Sequence, residues 1–401
     1  MSEARFTGSF TQQRAIPPEG IEAAVEVLRS GRLHRYNVAP GEEAETAALE
    51  REFAAYQGTR FALAVASGGQ AMQIALRAAG VGPGDPVLTN AFTLAPVPGS
   101  ILAVGARPVL VESTEDLVID IDDLLEKARR SGARTLLLSH MRGHLCDMDR
   151  LAKEAARHEI RVIEDCAHTM GALWNGRRSG AFGLAGCFST QTYKHLNSGE
   201  GGLLVSDDAE FMARATMLSG CYMLYGEHGA GPDPSVFADV RFDTPNMSAR
   251  MDNLRAAILR PQLRRLPAAV AQWNLRHDRI VARLAAHPAI RVPHRPAQES
   301  YVGSSVQFRV PSLTPDAARR LVAEAAERGV DIKWFGDPEP VAFTSTYRSW
   351  RYVADQPLPR TDRVLATLFD MRLPLTFTPG DCDEIAAHLV AAVDGLGVPA
   401  E

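Results

Sequence analysis

Lysine is the rarest of the basic residues in this chain. Lys127, Lys153, Lys194 and Lys333 are the only four among 43 lysines and arginines. A lysine that survives against such a bias is a candidate for chemistry that an amine performs and a guanidinium does not. Cysteine is also sparse. Cys146, Cys166, Cys187, Cys221 and Cys382 form no CxxC pair and no even framework. That argues against a disulfide scaffold or a structural zinc, and no metal-ligand spacing is read; a reducing compartment is expected. No window reaches about 18 uninterrupted apolar residues, the length of a membrane span. The segment MSEARFTGSFTQQRAIPPEG has no apolar core of a secretory leader. A cytoplasmic protein without a membrane partner is the expectation. The dinucleotide signature GxGxxG after a first strand and the phosphate loop GxxxxGK[ST] are both missing. Net charge is −5 and the isoelectric point about 6.2, so nothing draws the chain to nucleic acid. The pairs Arg129-Arg130 and Arg264-Arg265 are diluted by acidic neighbours and read as solvated helix faces.

What remains is a 401-residue chain, 46% apolar and 23% charged, long enough for one large domain and a smaller one. Between 61 and 206, short apolar runs alternate with amphipathic stretches. FALAVA, PVLT, RPVLVE, RTLLLS and RVIED are strand candidates. GQAMQIALRAAG, DIDDLLEKARRSG and DMDRLAKEAARHE are helical, the last two starting at Asp120 and Asp147. Strands separated by helices of this length predict an α/β fold with a mostly parallel sheet covered on both faces. GCFST and GLLVS follow each other without a long helix and are expected to be irregular or antiparallel. From Asn246 a long helical stretch begins, which Pro261 and Pro267 are expected to kink or divide. The segment from Gly226 to Pro245 is rich in Gly, Pro and Asp and reads as a loop. SSVQFRV, TPDAARRLVAEAAERG and GDCDEIAAHLVAAVDGLG suggest a smaller α/β unit. The expected division is 1–255, a large domain with an N-terminal arm, and 256–401, a linking helix and small C-terminal domain.

Ligands of open α/β sheets gather outside the carboxyl ends of the strands. Here those ends read ASGGQ, TNAFT, SHMRGH, EDCAH and FSTQTYK. Ser67, Gly68, Gly69 and Gln70 open a helix directly after a strand. Free N–H groups at a helix start would seat a phosphate; a plain tight turn is the other reading. Asp165, at the end of an apolar strand, is either a helix N-cap or the partner of a buried cation such as a pyridinium. His168, a few residues on, would face the same ligand, or serve as a structural histidine. Lys194 follows these in chain order and precedes SGEGG. Its amine forms a Schiff base if its pKa is lowered. Lys127 and Lys153 lie on exposed-looking helix faces, and Lys333 at a later strand end is the competitor. Ser189 and Thr192 add hydroxyls. Together these parts describe a pyridoxal 5'-phosphate (PLP) site.

ASGGQAMQIALRAAGVGPGDPVL, VIEDCAHTMGALWNGRRSGAFG, CFSTQTYKHLNSGEGGLLVSDD and NMSARMDNLRAAI together resemble the DegT/StrS family of PLP-dependent sugar aminotransferases, enzymes of fold type I. The resemblance runs from about 20 to 280. It implies that Lys194 holds PLP as a Schiff base and moves protons, and that Asp165 pairs with the pyridine nitrogen. His168 stands where the family has a glutamine near the phenolic oxygen. Ser189 and the amides of Gly69 and Gln70 match phosphate positions, with Gly68 beside them. Phe92 is placed like the aromatic residue that stacks on the ring. Asn246 matches an asparagine supplied by a neighbouring subunit, which implies a homodimer with shared sites. Two departures stand out. SGT is SGG here, so Gly69 lacks a hydroxyl; HLYG is HMRG, putting Arg142 in place of a tyrosine with His144 just after. Arg142 could clamp an anionic substrate or form a structural salt bridge. The implied activity moves an amino group from an amino-acid donor, glutamate or glutamine, to a keto sugar, keto-cyclitol or related small ketone of secondary metabolism. Dehydration, racemisation or C–C bond formation on the same cofactor, and a regulator without turnover, are the alternatives.

Overall fold

Short apolar runs bounded by Gly, Pro and Asp leave room only for brief, buried strands. The computed structural model, which describes residues 5–397, contains β1 (Phe61–Val65), β2 (Pro86–Asn90), β3 (Arg107–Val111), β4 (Thr135–Ser139) and β5 (Arg161–Asp165). A small hairpin of β6 (Leu173–Trp174) and β7 (Arg177–Arg178) precedes β8 (Ala185–Ser189) and β9 (Gly202–Ser206). Seven strands form one sheet in the order β1-β9-β8-β5-β4-β2-β3. All neighbours from β3 to β8 pair in parallel, whereas β9 runs antiparallel to both β8 and β1. Six strands therefore point the same way, and their carboxyl ends share one edge. The expected antiparallel GCFST–GLLVS pair is β8–β9.

Helices α1 (Pro18–Ser30) and α2 (Glu45–Gln57) precede the sheet; α3 (Gly68–Ala78), α4 (Pro96–Ala103), α5 (Ile121–Ser131), α6 (Met148–Arg157) and α7 (Ala209–Ser219) cover it. Local chemistry sets their starts. Asp120 and Asp147 cap α5 and α6 by accepting from Asp123 N and Arg150 N, as the sequence suggests. Two apolar layers result, one on each face. Leu88, Leu136 and Leu138 belong to one; Val87, Leu137 and Ile163 belong to the other.

The segment expected to be a loop contains α8 (Phe237–Asp243). Phe237 and Val240, three apart, bury one face, and Phe237 stacks on Tyr225 at 4.6 Å. Composition hid this short apolar stripe. A second difference concerns Pro261 and Pro267, which lie inside the uninterrupted α9 (Asn253–Ala285). Each proline costs about 3 kcal/mol in an isolated helix. Here α9 packs on α1 and α2 and buries Leu259, Pro261, Leu263, Leu266, Trp273 and Leu284, and this packing keeps the helix continuous.

Beyond α9, β10 (Glu299–Ser300) extends the β6–β7 hairpin. β11 (Ser305–Arg309), β12 (Lys333–Trp334) and β13 (Leu368–Arg372) form an antiparallel sheet ordered β11-β13-β12. With α10 (Pro315–Glu327) and α12 (Pro379–Asp394) it encloses a separate core that includes Phe308, Phe369, Leu321 and Leu389, while α11 (Pro359–Leu365) packs with Phe92 and Phe335. Strand alternation decides the chemistry of β13. Phe369 and Met371 enter that core, while Asp370 and Arg372 share the opposite face, where each meets a group at the edge of the large sheet. The five cysteines are unpaired and buried.

Candidate active site

The shared edge of carboxyl ends opens into a cleft of about 400 Å³, within the usual range for a small-molecule site. Its walls include Ser67, Gly68 and Gly69 after β1, Thr93 and Leu94 after β2, Ser139 and Arg142 after β4, Asp165 and His168 after β5, and Ser189 and Lys194 after β8. Residues spread over more than a hundred positions of sequence are collected by one topological fact, the parallel direction of the strands.

Lys194 sits on a loop tied at its base by Thr190 N donating to Gly201 O and Ser198 N to Thr190 O, both at 2.9 Å. Its Nζ lies 3.0 Å from His168 Nε2. Burial, then the Arg142 charge, lower the amine from 10.5 to about 7, with Asp165 opposing. Burial and the Lys194 and Arg142 charges push His168 well below its ordinary range, so the imidazole is neutral. An amine lowered to about 7 is in large part neutral near physiological pH, a nucleophile held next to a neutral imidazole that accepts a proton.

Asp165 is fixed by a relay. Thr93 Oγ1 donates to Ser139 Oγ at 2.8 Å, and Ser139 Oγ donates to Asp165 Oδ2 at 2.9 Å. Ala167 N donates to Oδ1 at 3.1 Å, closing a turn rather than starting a helix, so the N-cap reading does not apply. A carboxylate accepts about four hydrogen bonds. Asp165 lines the cleft with acceptor capacity left for a cationic ring nitrogen.

The phosphate seat is steric as well as electrostatic. Ser67 caps α3 through Gln70 N. Gly68 and Gly69 occupy the first helical turn, where N–H groups have no intrahelical acceptor. A Cβ on Gly68 would lie 2.8 Å from Ser189 Cβ, and one on Gly202 2.4 Å from the Ser67 carbonyl carbon. The glycines bring the α3 amides and the Ser189 hydroxyl onto one spot. Asp165, the Lys194 amine and this anion seat fit the ring nitrogen, aldehyde carbon and phosphate of PLP.

Three expected residues stand elsewhere, and a fourth, Asn246, is expected only in a neighbouring subunit's site. Phe92 is buried and packs edge-to-face on Phe335 at 5.1 Å, away from the cleft wall; Leu94, two residues on, reaches it. The chain leaves strand geometry after Asn90, so the bend at 91–93 turns Phe92 toward Phe335 and leaves Leu94 at the cleft. The Gln70 amide is engaged by Ser67, and its side chain does not line the cleft. His144 is buried on the far side of the turn, 2.9 Å from Gln307. Asn246 is exposed, its Oδ1 accepting from Ser248 N at 2.9 Å, outside this chain's cleft. Arg142 does line the cleft, but its Nη2 lies 2.8 Å from Asp370 Oδ2, and both are buried. It holds a left-handed φ of 57°, uncommon for a residue with a side chain. Of the other lysines, Lys153 is exposed; Lys127, expected to be so, is partly buried, donating to Leu110 O at 2.7 Å and pairing with Asp123. Lys333 does not reach the cleft.

Sequence reasoning missed Tyr193, Phe343 and Arg372. The Arg372 guanidinium lies 3.9 Å from the Tyr193 ring centroid and 5.1 Å from that of Phe343. The alternation in LFDMR held a signal for Arg372; nothing local announced Phe343. His140, Glu164 and Cys166 have the proximity of a metal site. The Glu164 oxygens, however, accept from His140 Nε2 and the Gly180, Phe182 and Gly183 amides, which makes this a buried structural knot.

Known proteins are similar to this chain in sequence and fold. The chain is 37% identical over 276 residues to the dTDP-3-amino-3,4,6-trideoxy-alpha-D-glucose transaminase of Streptomyces venezuelae, covering 68% of this chain and 66% of that one. It is 31% identical over 313 residues to the 3-amino-5-hydroxybenzoate synthase of Amycolatopsis mediterranei (strain S699), covering 76% and 75%. The crystal structure of a 3-amino-5-hydroxybenzoic acid synthase superposes with a TM-score of 0.83 at 25% identity, covering 98% of this chain and all of that one. The model of the DegT/DnrJ/EryC1/StrS aminotransferase family matches residues 15–390, and the chain belongs to that family.

Proposed function

We propose that this protein is a PLP-dependent aminotransferase that carries an amino group from an amino-acid donor, glutamate or glutamine, to a small cyclic ketone, a keto sugar or keto-cyclitol of secondary metabolism. The observation that carries this reading is the Lys194 amine, brought to about 7 beside a neutral His168 and facing Asp165 across one cleft. When bound, PLP supplies an electrophilic carbon and an electron-withdrawing ring. Asp165, oriented by Ser139 and Thr93, holds the ring nitrogen's proton. Gly68, Gly69 and Ser189 anchor the phosphate. Lys194 would hold the cofactor's aldehyde carbon and, as a free amine, would take the donor's Cα proton and deliver it two atoms away, with the His168 acceptor keeping that amine oriented between the two positions. Leu94, Met72 and Val97 supply the apolar part of the wall.

Other relationships support companion readings. Asn246 is exposed beside Gly220, in a region whose Tyr222, Met223 and 75%-exposed Phe242 present apolar surface, which suits a homodimer in which each subunit lends Asn246 to its partner's site. The division into 1–255 and 256–401 places the linking helix α9 with the smaller part; its outermost residues lie beyond those described. Five buried, unpaired thiols suit a cytoplasmic setting.

The test is a half-reaction. Holoenzyme mixed with L-glutamate or L-glutamine is expected to lose the visible absorption of its cofactor and release one oxo acid per site. Cofactor-loaded protein that leaves every proteinogenic amino acid unchanged would overturn the proposal.

A further inference from the structure

Besides Lys194, the charged groups on the cleft wall are Arg142, Arg372, Asp165 and the exposed Glu200. Arg142 is matched by Asp370, and Asp165 is held by Ser139 and Ala167 with its free capacity toward the ring nitrogen. Arg372, projecting from β13 beside Asp370, pairs with no carboxylate among the described residues. It is half-buried, with the Tyr193 ring 3.9 Å and the Phe343 ring 5.1 Å from its guanidinium carbon, the two rings set edge-to-face 5.9 Å apart. Ring faces attract the cation but accept none of its five in-plane N–H donors. Arg372 lines the same cleft as Lys194.

We propose that Arg372 is a substrate-recognition residue that takes a carboxylate of the compound bound at Lys194, so that the enzyme acts on an anionic substrate. This rests on the aminotransferase reading above. Three features of the site favour it. The planar fork of arginine matches a carboxylate with two parallel hydrogen bonds. Tyr193 and Phe343 fix the plane of the fork before a ligand arrives, which reduces the entropy lost on binding. Burial, then the neighbouring Arg142 charge, lower the Arg372 pKa, a strain that an incoming anion relieves. Phe343, 56% exposed, comes from the 335–358 connection rather than from the large sheet, so both halves of the chain frame the anion position.

The carboxylate could belong to the amino donor or to the ketone, and the experiment separates them. Calorimetry on holoenzyme measures the binding of two cyclic probes, 3-hydroxybenzoate and its neutral counterpart 3-hydroxybenzamide. The L-glutamate half-reaction gives a second arm. Charge-assisted hydrogen bonds of this kind correspond to about 10- to 100-fold in affinity. Arg372→Leu is expected to weaken 3-hydroxybenzoate, the glutamate KM, or both by that factor, while 3-hydroxybenzamide changes less than about threefold. A loss confined to the benzoate assigns the carboxylate to the acceptor; a loss confined to glutamate assigns it to the donor. Arg372→Lys, which keeps the charge but not the fork, is expected to fall between and serves if the leucine variant does not fold. Unchanged benzoate affinity and unchanged glutamate KM in either folded variant overturn the proposal. A wild-type holoenzyme without any half-reaction would instead fail the aminotransferase reading, and the calorimetric arm would still decide the role of Arg372.

Discussion

Lys194 Nζ lies 3.0 Å from His168 Nε2, and burial lowers the pKa of both groups. The sequence separates them by an entire hairpin and a strand. The cleft joins them because β5 and β8 are adjacent and parallel.

The lowered amine gives a pH signature. Uptake of PLP by the cofactor-free protein requires neutral Lys194, so its rate is expected to rise about tenfold per pH unit below about 7 and level off above it. Arg142 opposes protonation of Lys194 and Asp165 favours it. Arg142→Leu is therefore expected to move the inflection up, and Asp165→Asn to move it down. Stopped-flow absorbance across pH checks both directions.

The same shift couples to folding. A lysine at about 7 in the folded chain and near 10.5 in the unfolded one leaves the unfolded state with more bound protons between those values. Stability of the cofactor-free protein is expected to rise with pH across that window, and Lys194→Met to flatten the rise. Urea midpoints measured at several pH values test this.

Arg142 and Asp370 form a buried pair between the turn after β4 and strand β13. Removing one partner leaves an uncompensated buried charge, a loss of about 3–5 kcal/mol. Arg142→Leu is expected to lose that much, and Arg142→Leu combined with Asp370→Asn to recover a large part. Denaturant unfolding of the four proteins measures the coupling.

Phe92 packs against Phe335, while Leu94, two residues on, lines the cleft. Phe92→Ala opens a cavity against Phe335 and is expected to cost about 3–5 kcal/mol of stability with the cofactor spectrum preserved. Leu94→Ala is expected to weaken PLP affinity with a smaller stability change. Unfolding midpoints and PLP titration of both variants distinguish wall from core.

Much of this design is legible in the chain itself. Apolar runs ending in Ser67, Asp165 and Ser189 identify the strands, and parallel pairing collects their ends without further information. The scarcity of lysine singles out Lys194. What escaped reading depends on contacts between distant segments. Arg142 could be a clamp or a structural ion until Asp370, more than two hundred residues away, is brought to it. His144 follows Arg142 in sequence yet faces Gln307, because the left-handed backbone at Arg142 turns the chain. The uninterrupted α9 shows tertiary packing outweighing proline, and α8 shows a short apolar stripe within a glycine-rich composition. Arg372 and Phe343 gain meaning only when the smaller sheet is placed beside the large one.

The most direct measurement is borohydride reduction of the PLP-loaded protein followed by peptide mass mapping. One pyridoxyl group per chain is expected, on the peptide containing Lys194, with none on Lys127, Lys153 or Lys333. A modified Lys333 peptide, or no adduct despite bound cofactor, would contradict the assignment of the reactive amine.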